Sequence, residues 1–213
     1  MTLDLFAQPA GKEIIAPGAC LLRGLALARE SAIWQALQSV IAQAPLRHMQ
    51  TPGGLTMSVA MSNCGPLGWV SDRQGYRYQA LDPLSQQPWP AMPAEFMALA
   101  QQAAILAGFA DFTPDACLIN QYAVGAKLSL HQDKDERDQS HPIVSVSLGL
   151  PATFQFGGLQ RSDKLLRTEL QHGDVVVWGG PSRLRYHGIL PLKSGTFSYM
   201  GTYRYNLTFR RAS

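Results

Sequence analysis

From Asp115 onward the chain is a succession of short apolar runs, each closed by Gly, Pro, Asp or Ser. The runs 116–123, 127–133, 143–149, 153–156, 165–170, 174–178, 184–189 and 198–210 are of strand length rather than helix length. Strands this short and this evenly spaced point to a sandwich or a barrel, and a double-sheet jelly roll is the expectation. The first half differs. In 30–44, "ESAIWQALQSVIAQA", Ile33, Leu37, Val40, Ile41 and Ala44 share one helical face, and Pro45 stops the run. In 93–107, Phe96, Leu99, Ala103 and Leu106 repeat the pattern, with Pro93 in the first turn and Gly108 at the C-terminal cap. The segment 54–62 alternates as a strand, and the Pro-rich segment 81–93 reads as a surface loop. The fold class is therefore mainly β with flanking helices (α+β), the helices covering one sheet from outside.

With 213 residues, 46 % hydrophobic and 15 % charged, the chain can bury a sizeable core and lacks the composition of a disordered one. One domain, 1–213, is expected, with a helical part over 1–112 and a β core over 113–213. A net charge of +3 permits a nucleic-acid partner without demanding one. Cys20, Cys64 and Cys117 are widely spaced, odd in number and form no CxxC, as reduced thiols in a cytoplasmic protein would be. The start, "MTLDLFAQPAGKE", has neither a basic stretch nor a sustained apolar run, so no secretory leader is expected. No apolar run is long enough to span a membrane, and no membrane partner is expected.

The chemistry-bearing residues begin in "LSLHQDKDERD", 128–138. Alternate strand residues share a face, so His131 and Asp133 project together if the strand persists that far. Two histidines and a carboxylate can hold Fe(II) with positions left open. His187, in "RLRYHGILPL", is one of several histidines that could complete such a set. By itself an H-x-D pair is more often the solvated end of a strand. The closing run "YRYNLTFRR" alters that balance. Arg204, Asn206, Thr208 and Arg210 fall on one face, and Tyr205, Leu207 and Phe209 on the other. Two arginines on an inner face are costly unless an anion sits there, and a dicarboxylate would meet both. In "LINQY", Asn120 and Tyr122 share a face in the same way. An edge strand facing water is the bland alternative for either arginine alone.

The segments "TPGGLTMSVAMSNCGPLGW", "DACLINQYAVGAKLSLHQDKDE", "PIVSVSLGLPATFQFGG", "HGDVVVWGGPSRLRYHGI" and "RYNLTFR" together carry a resemblance over most of the chain. The sequence resembles the AlkB family of Fe(II)/2-oxoglutarate-dependent dioxygenases and looks close to its bacterial members. The resemblance implies a double-stranded β-helix, or jelly roll, with 1–112 also supplying a substrate lid. It implies Fe(II), 2-oxoglutarate and O₂ as cofactors, and His131, Asp133 and His187 as the iron ligands. Arg204, helped by Tyr122 and Asn206, matches the partner of the far carboxylate of 2-oxoglutarate. Arg210 and Asn120 match residues near the carboxylate beside its keto group.

The implied reaction is the oxidative demethylation of N-alkylated bases, of the 1-methyladenine and 3-methylcytosine type. Hydroxylation of the N-methyl group gives a hemiaminal, which releases formaldehyde and the free amine, alongside succinate and CO₂. The partner is single-stranded or locally opened DNA, with RNA as a second possibility, and the expected state is a monomer. Trp69 matches the ring that stacks on a flipped base, with His131 as the opposite wall. Tyr76 and Arg161 match further substrate contacts, and Asp135 a contact to the exocyclic amine. Thr51, Met57, Met61 and Ser145 are candidates to line the pocket, Lys127 and the region of Arg77 to meet phosphates. By parity, Gln132, Lys134 and Glu136 are expected on a solvated edge. A hydroxylase of a protein or small molecule, a non-catalytic jelly-roll binding module and a zinc hydrolase are the alternatives.

Overall fold

The computed structural model describes residues 11–213; Met1–Ala10, on which most of the leader expectation rests, lie outside them. The described residues begin with a hairpin, β1 (Lys12–Ala16) and β2 (Ala19–Leu22), followed by a helix, α1 (Glu30–Gln43). Next come β3 (Arg47–Gln50), β4 (Thr56–Cys64) and a second hairpin, β5 (Gly68–Asp72) and β6 (Gly75–Gln79). Helix α2 (Ala94–Ala107) ends at Gly108, whose φ of 96° takes the left-handed conformation a capping glycine supplies cheaply. Eight strands follow: β7 (Ala116–Tyr122), β8 (Leu128–His131), β9 (Ile143–Gly149), β10 (Ala152–Phe156), β11 (Leu166–Leu170), β12 (Val175–Trp178), β13 (His187–Ile189) and β14 (Arg204–Arg210).

Two sheets face each other. The larger has the order β1-β2-β12-β9-β14-β7-β4-β3, the smaller β11-β10-β13-β8, and β5-β6 stands apart as a two-stranded ribbon. This is the jelly roll that the strand spacing predicts. Alternation along β14 explains its central place. Leu207 and Phe209 turn outward into a core with Ile33 and Leu37 of α1 and Phe96 and Leu99 of α2. A second core lies between the sheets, where Phe154, Phe156, Ile189 and Trp178 meet Tyr122, Leu118 and Met61. The helices thus cover the larger sheet from outside, as expected.

Several boundaries differ from the sequence reading. The stretch 198–210 is not one strand. Ser198–Met200 forms a 3-10 turn, and Phe197 and Gly201 close a tight loop through reciprocal backbone hydrogen bonds. In 184–189 only His187–Ile189 pairs, because Arg183 and Arg185 close backbone turns on Gly180 and Ser182. Leu106 is 46 % exposed; α2 buries Ala100 and Ala104 beside Phe96, Leu99 and Ala103. The Pro-rich loop is anchored rather than free. Trp89 is buried, donates its indole N–H to the Gln79 carbonyl and lies under the Arg47 guanidinium. The three cysteines are buried free thiols.

Candidate active site

His131 ends β8 and His187 begins β13, and the two are direct register partners across the smaller sheet. Gly188 allows that approach: a Cβ there would lie 2.7 Å from the Leu128 carbonyl oxygen. Asp133 follows β8 by two residues, after the strand has ended. One ligand atom from each of His131, Asp133 and His187 falls within 4.8 Å of the others. Each imidazole Nδ1 faces a backbone carbonyl, Ser129 at 2.8 Å for His131 and Arg185 at 3.0 Å for His187. A carbonyl only accepts, so Nδ1 carries the proton and Nε2 keeps the lone pair a metal needs.

The electrostatics suit a cation. Burial and the neighbouring His131 pull the His187 pKa down to about 4, so its imidazole stays neutral, the form that can bind a metal. Burial opposes charge on His131, but the Asp133 carboxylate outweighs it and raises that pKa. Burial also works against ionised Asp133, and the Arg210 guanidinium reverses this, holding the carboxyl well below its ordinary value. Two imidazoles and one carboxylate are the donor set that suits Fe(II) with open positions.

Beside this cluster lies the polar face of β14. In register with β7, Arg204 sits opposite Tyr122 and Asn206 opposite Asn120. Asn206 donates to Ser145 Oγ at 2.8 Å, and its oxygen accepts from Asn120 at 3.2 Å and Thr208 at 2.8 Å. Arg204 is only 1 % exposed. Its Nη2 donates to Ser147 Oγ at 3.0 Å and its guanidinium lies 4.9 Å from the Tyr122 ring centre. Among the described residues its Nε and Nη1 have no hydrogen-bond partner. Two unpartnered donors on a buried cation are a costly arrangement that a carboxylate in the cavity would relieve. Arg210 differs. It donates to Asp133 Oδ2 through Nε at 2.9 Å and Nη2 at 2.6 Å.

Both groups open into one cavity of about 730 Å³. All twelve residues singled out from sequence line it, together with Thr51, Met57, Met61, Ser145 and Lys127. At its mouth Trp69 on β5 stacks on Tyr76 on β6, with ring centres 5.5 Å apart and planes 14° from parallel. Asp135 is expected to face an exocyclic amine; here it accepts the Trp69 indole N–H at 2.9 Å and so fixes that ring. Arg161 donates to the Leu130 carbonyl and lies over the Tyr186 ring. Arg77 is engaged by Asp72 through two hydrogen bonds, so it is not a free phosphate contact.

One expectation fails outright. Glu136 is 6 % exposed, not on a solvated edge. Strand parity cannot apply to it, because β8 stops at His131 and the following chain is irregular. Arg183 and Tyr78, which hold Glu136, were not legible as its partners either. The only sequence hint is the run of acids itself, in which a buried member looks like a solvated one.

A jelly roll with this donor set and a buried arginine with two unpartnered donor nitrogens fits the frame of a 2-oxoglutarate oxygenase. The family model described as 2OG-Fe(II) oxygenase superfamily matches residues 18–210. The chain is 60 % identical over 212 residues to "Alpha-ketoglutarate-dependent dioxygenase AlkB" of Salmonella typhimurium, covering 99 % of this chain and 98 % of that one. The protein of the same name from Escherichia coli strain K12 is 60 % identical over 211 residues, with the same coverage. The structure of OsALKBH1 superposes with a TM-score of 0.80 at 28 % identity, over 94 % of this chain and all of that one. The chain therefore belongs to the AlkB family. It is an Fe(II)/2-oxoglutarate-dependent dioxygenase, and its cofactors are Fe(II), 2-oxoglutarate and O₂.

Proposed function

We propose that this dioxygenase demethylates N-alkylated bases, of the 1-methyladenine and 3-methylcytosine type, in single-stranded or locally opened DNA, with RNA as a second substrate. One observation carries this reading: a single cavity joins the three-ligand cluster to an aromatic mouth formed by Trp69 and Tyr76. Names among the relatives support the nucleic-acid substrate in this reading. The human protein "Nucleic acid dioxygenase ALKBH1" is 32 % identical over 123 residues, 58 % of this chain and 31 % of that one. A protein from Arabidopsis thaliana, 32 % identical over 171 residues, is named "DNA N(6)-methyladenine demethylase ALKBH1C".

In this reading His131, Asp133 and His187 hold Fe(II). Arg204, Tyr122 and Asn206 take the far carboxylate of 2-oxoglutarate, and Arg210 and Asn120 lie near the one beside the keto group. With O₂ these cofactors supply a hydroxyl group to a C–H bond as 2-oxoglutarate becomes succinate and CO₂. This chain's residues do the rest. The ring of Trp69 receives the extruded base, at a stacking gain of about 1–3 kcal/mol. His131 bounds the other side, and Asp135 favours the cationic alkylated base over the neutral one. Tyr76 and Arg161 orient the backbone. The hydroxylated methyl group then leaves as formaldehyde without further help.

Among the described residues no helix is long and apolar enough to cross a membrane. The three buried free thiols support placing the protein in the cytoplasm, and we propose that it acts as a monomer. The test is formaldehyde release from a 1-methyladenine oligonucleotide with Fe(II), 2-oxoglutarate and O₂. Release that persists in His131→Ala, or after exhaustive chelation, would sink the proposal.

A further inference from the structure

A buried ionic cluster lies behind Asp133. Glu136 Oε1 accepts the Tyr78 hydroxyl at 2.6 Å and lies 3.3 Å from Arg210 Nε. Its Oε2 accepts from Arg183 Nη2 at 2.9 Å. Arg183 also donates to the Asp133 backbone carbonyl at 2.6 Å and the His141 carbonyl at 3.0 Å. Arg210 grips the Asp133 carboxylate. Both the main chain and the side chain of Asp133 are therefore held by guanidiniums that share Glu136 as counter-charge. Buried charges persist only when matched, and here two carboxylates balance two guanidiniums. Without Glu136 the pair of arginines would stand against Asp133 alone, next to a site that must accept a cation.

The cluster also reaches the mouth of the cavity. Tyr78 lies on β6 as the register partner of Trp69 on β5. The hairpin that presents the stacked Trp69 and Tyr76 rings thus sends one hydroxyl inward to Glu136. We propose that Glu136, Arg183 and Tyr78 are positioning residues for the Asp133 carboxylate, and that the Tyr78–Glu136 hydrogen bond ties the seating of the hairpin to the geometry of the metal centre. This rests on Asp133 being an iron ligand. A nucleotide that shifts the hairpin moves Tyr78 against Glu136, and Glu136 shares Arg210 with Asp133. The consequence is a coupling device: co-substrate consumption and base oxidation stay in step only while the strap is intact.

The test compares full-length wild type, His131→Ala, Tyr78→Phe and Glu136→Gln. Fe(II) is titrated anaerobically into protein with 2-oxoglutarate, following the visible charge-transfer band. Succinate and formaldehyde are then counted with a methylated oligonucleotide. Glu136→Gln is expected to raise the Fe(II) dissociation constant about tenfold or more and to shift the band. Tyr78→Phe is expected to raise the succinate-to-formaldehyde ratio about threefold, in line with one lost hydrogen bond. A purely structural role would lower the melting temperature and leave band and ratio where they were. Wild-type values of band, affinity and ratio in both variants would overturn the inference while the iron ligands stand. A band surviving in His131→Ala would instead remove the ligand assignment on which it depends.

Discussion

The two ends of the cavity are built on different principles. The inner end belongs to the two large sheets, where Arg204, Asn206 and Thr208 are buried on β14 and His187 is buried on β13. Every side chain there is held by strand register on at least one side. The mouth belongs to a two-stranded ribbon and a loop. Tyr76 is exposed, and Trp69 is held by Asp135, itself exposed. A register-locked end suits cofactors that are chemically the same in every turnover, and a ribbon end suits a polymer of varied sequence that must enter and leave. Substitutions at the inner end should therefore remove chemistry or co-substrate affinity, and substitutions at the mouth, the inward-facing Tyr78 apart, should alter only the handling of the nucleic acid.

The most severe break in that division is His187→Ala. It deletes one of the three proposed ligands from a cluster that offers no fourth His, Cys, Asp or Glu within reach among the described residues. All measurable formaldehyde release is expected to vanish, and the visible band with Fe(II) and 2-oxoglutarate with it. Turnover at even a small fraction of wild type would mean that the metal is held elsewhere.

Arg204→Ala should come next. A charge-assisted hydrogen bond contributes about 1.5–3 kcal/mol, so the KM for 2-oxoglutarate is expected to rise roughly 10- to 100-fold. The KM for the oligonucleotide should stay put. Steady-state kinetics varying each substrate in turn would separate the two, and a parallel rise in both would erase the distinction between the ends.

This division also explains what could be read from sequence. On β14, polar and apolar residues alternate through seven positions, so which face is inner follows from parity alone, and the anion site with it. His131 and His187 sit on strands, yet nothing local says that β8 pairs with β13; the resemblance to a family implied only that the two histidines share a metal. Where the strand stops, parity stops. Asp133, Asp135 and Glu136 lie beyond β8 in irregular chain; Asp133 and Glu136 are buried against Arg210 and Arg183, while Asp135 stays exposed on the Trp69 indole, all partners distant in sequence. An acid that finds a guanidinium goes inside, and an acid that does not stays in water. That choice is made by tertiary structure and leaves no local trace.

At the mouth, Trp69→Ala should raise the KM for a methylated oligonucleotide about tenfold, the lower part of the range for one lost base–aromatic stack. Co-substrate parameters should remain those of wild type. An unchanged oligonucleotide KM would point away from a base-stacking role and toward a different substrate class for the same inner end.

The smallest expected effect is the most selective one. Asp135→Asn keeps an oxygen to accept the Trp69 indole N–H and removes only the negative charge. An exposed charge acting on a cationic base contributes up to about 1 kcal/mol, at most about a fivefold factor. The ratio of kcat/KM for cationic 1-methyladenine over neutral 3-methylthymine should fall by about that factor. Binding of Fe(II) and 2-oxoglutarate should not move, because Asp135 takes no part in the cluster around Asp133. An equal loss on both bases would assign Asp135 to holding the Trp69 ring rather than to sensing charge. Asp135→Ala, which also removes the acceptor, should then reproduce the oligonucleotide KM of Trp69→Ala.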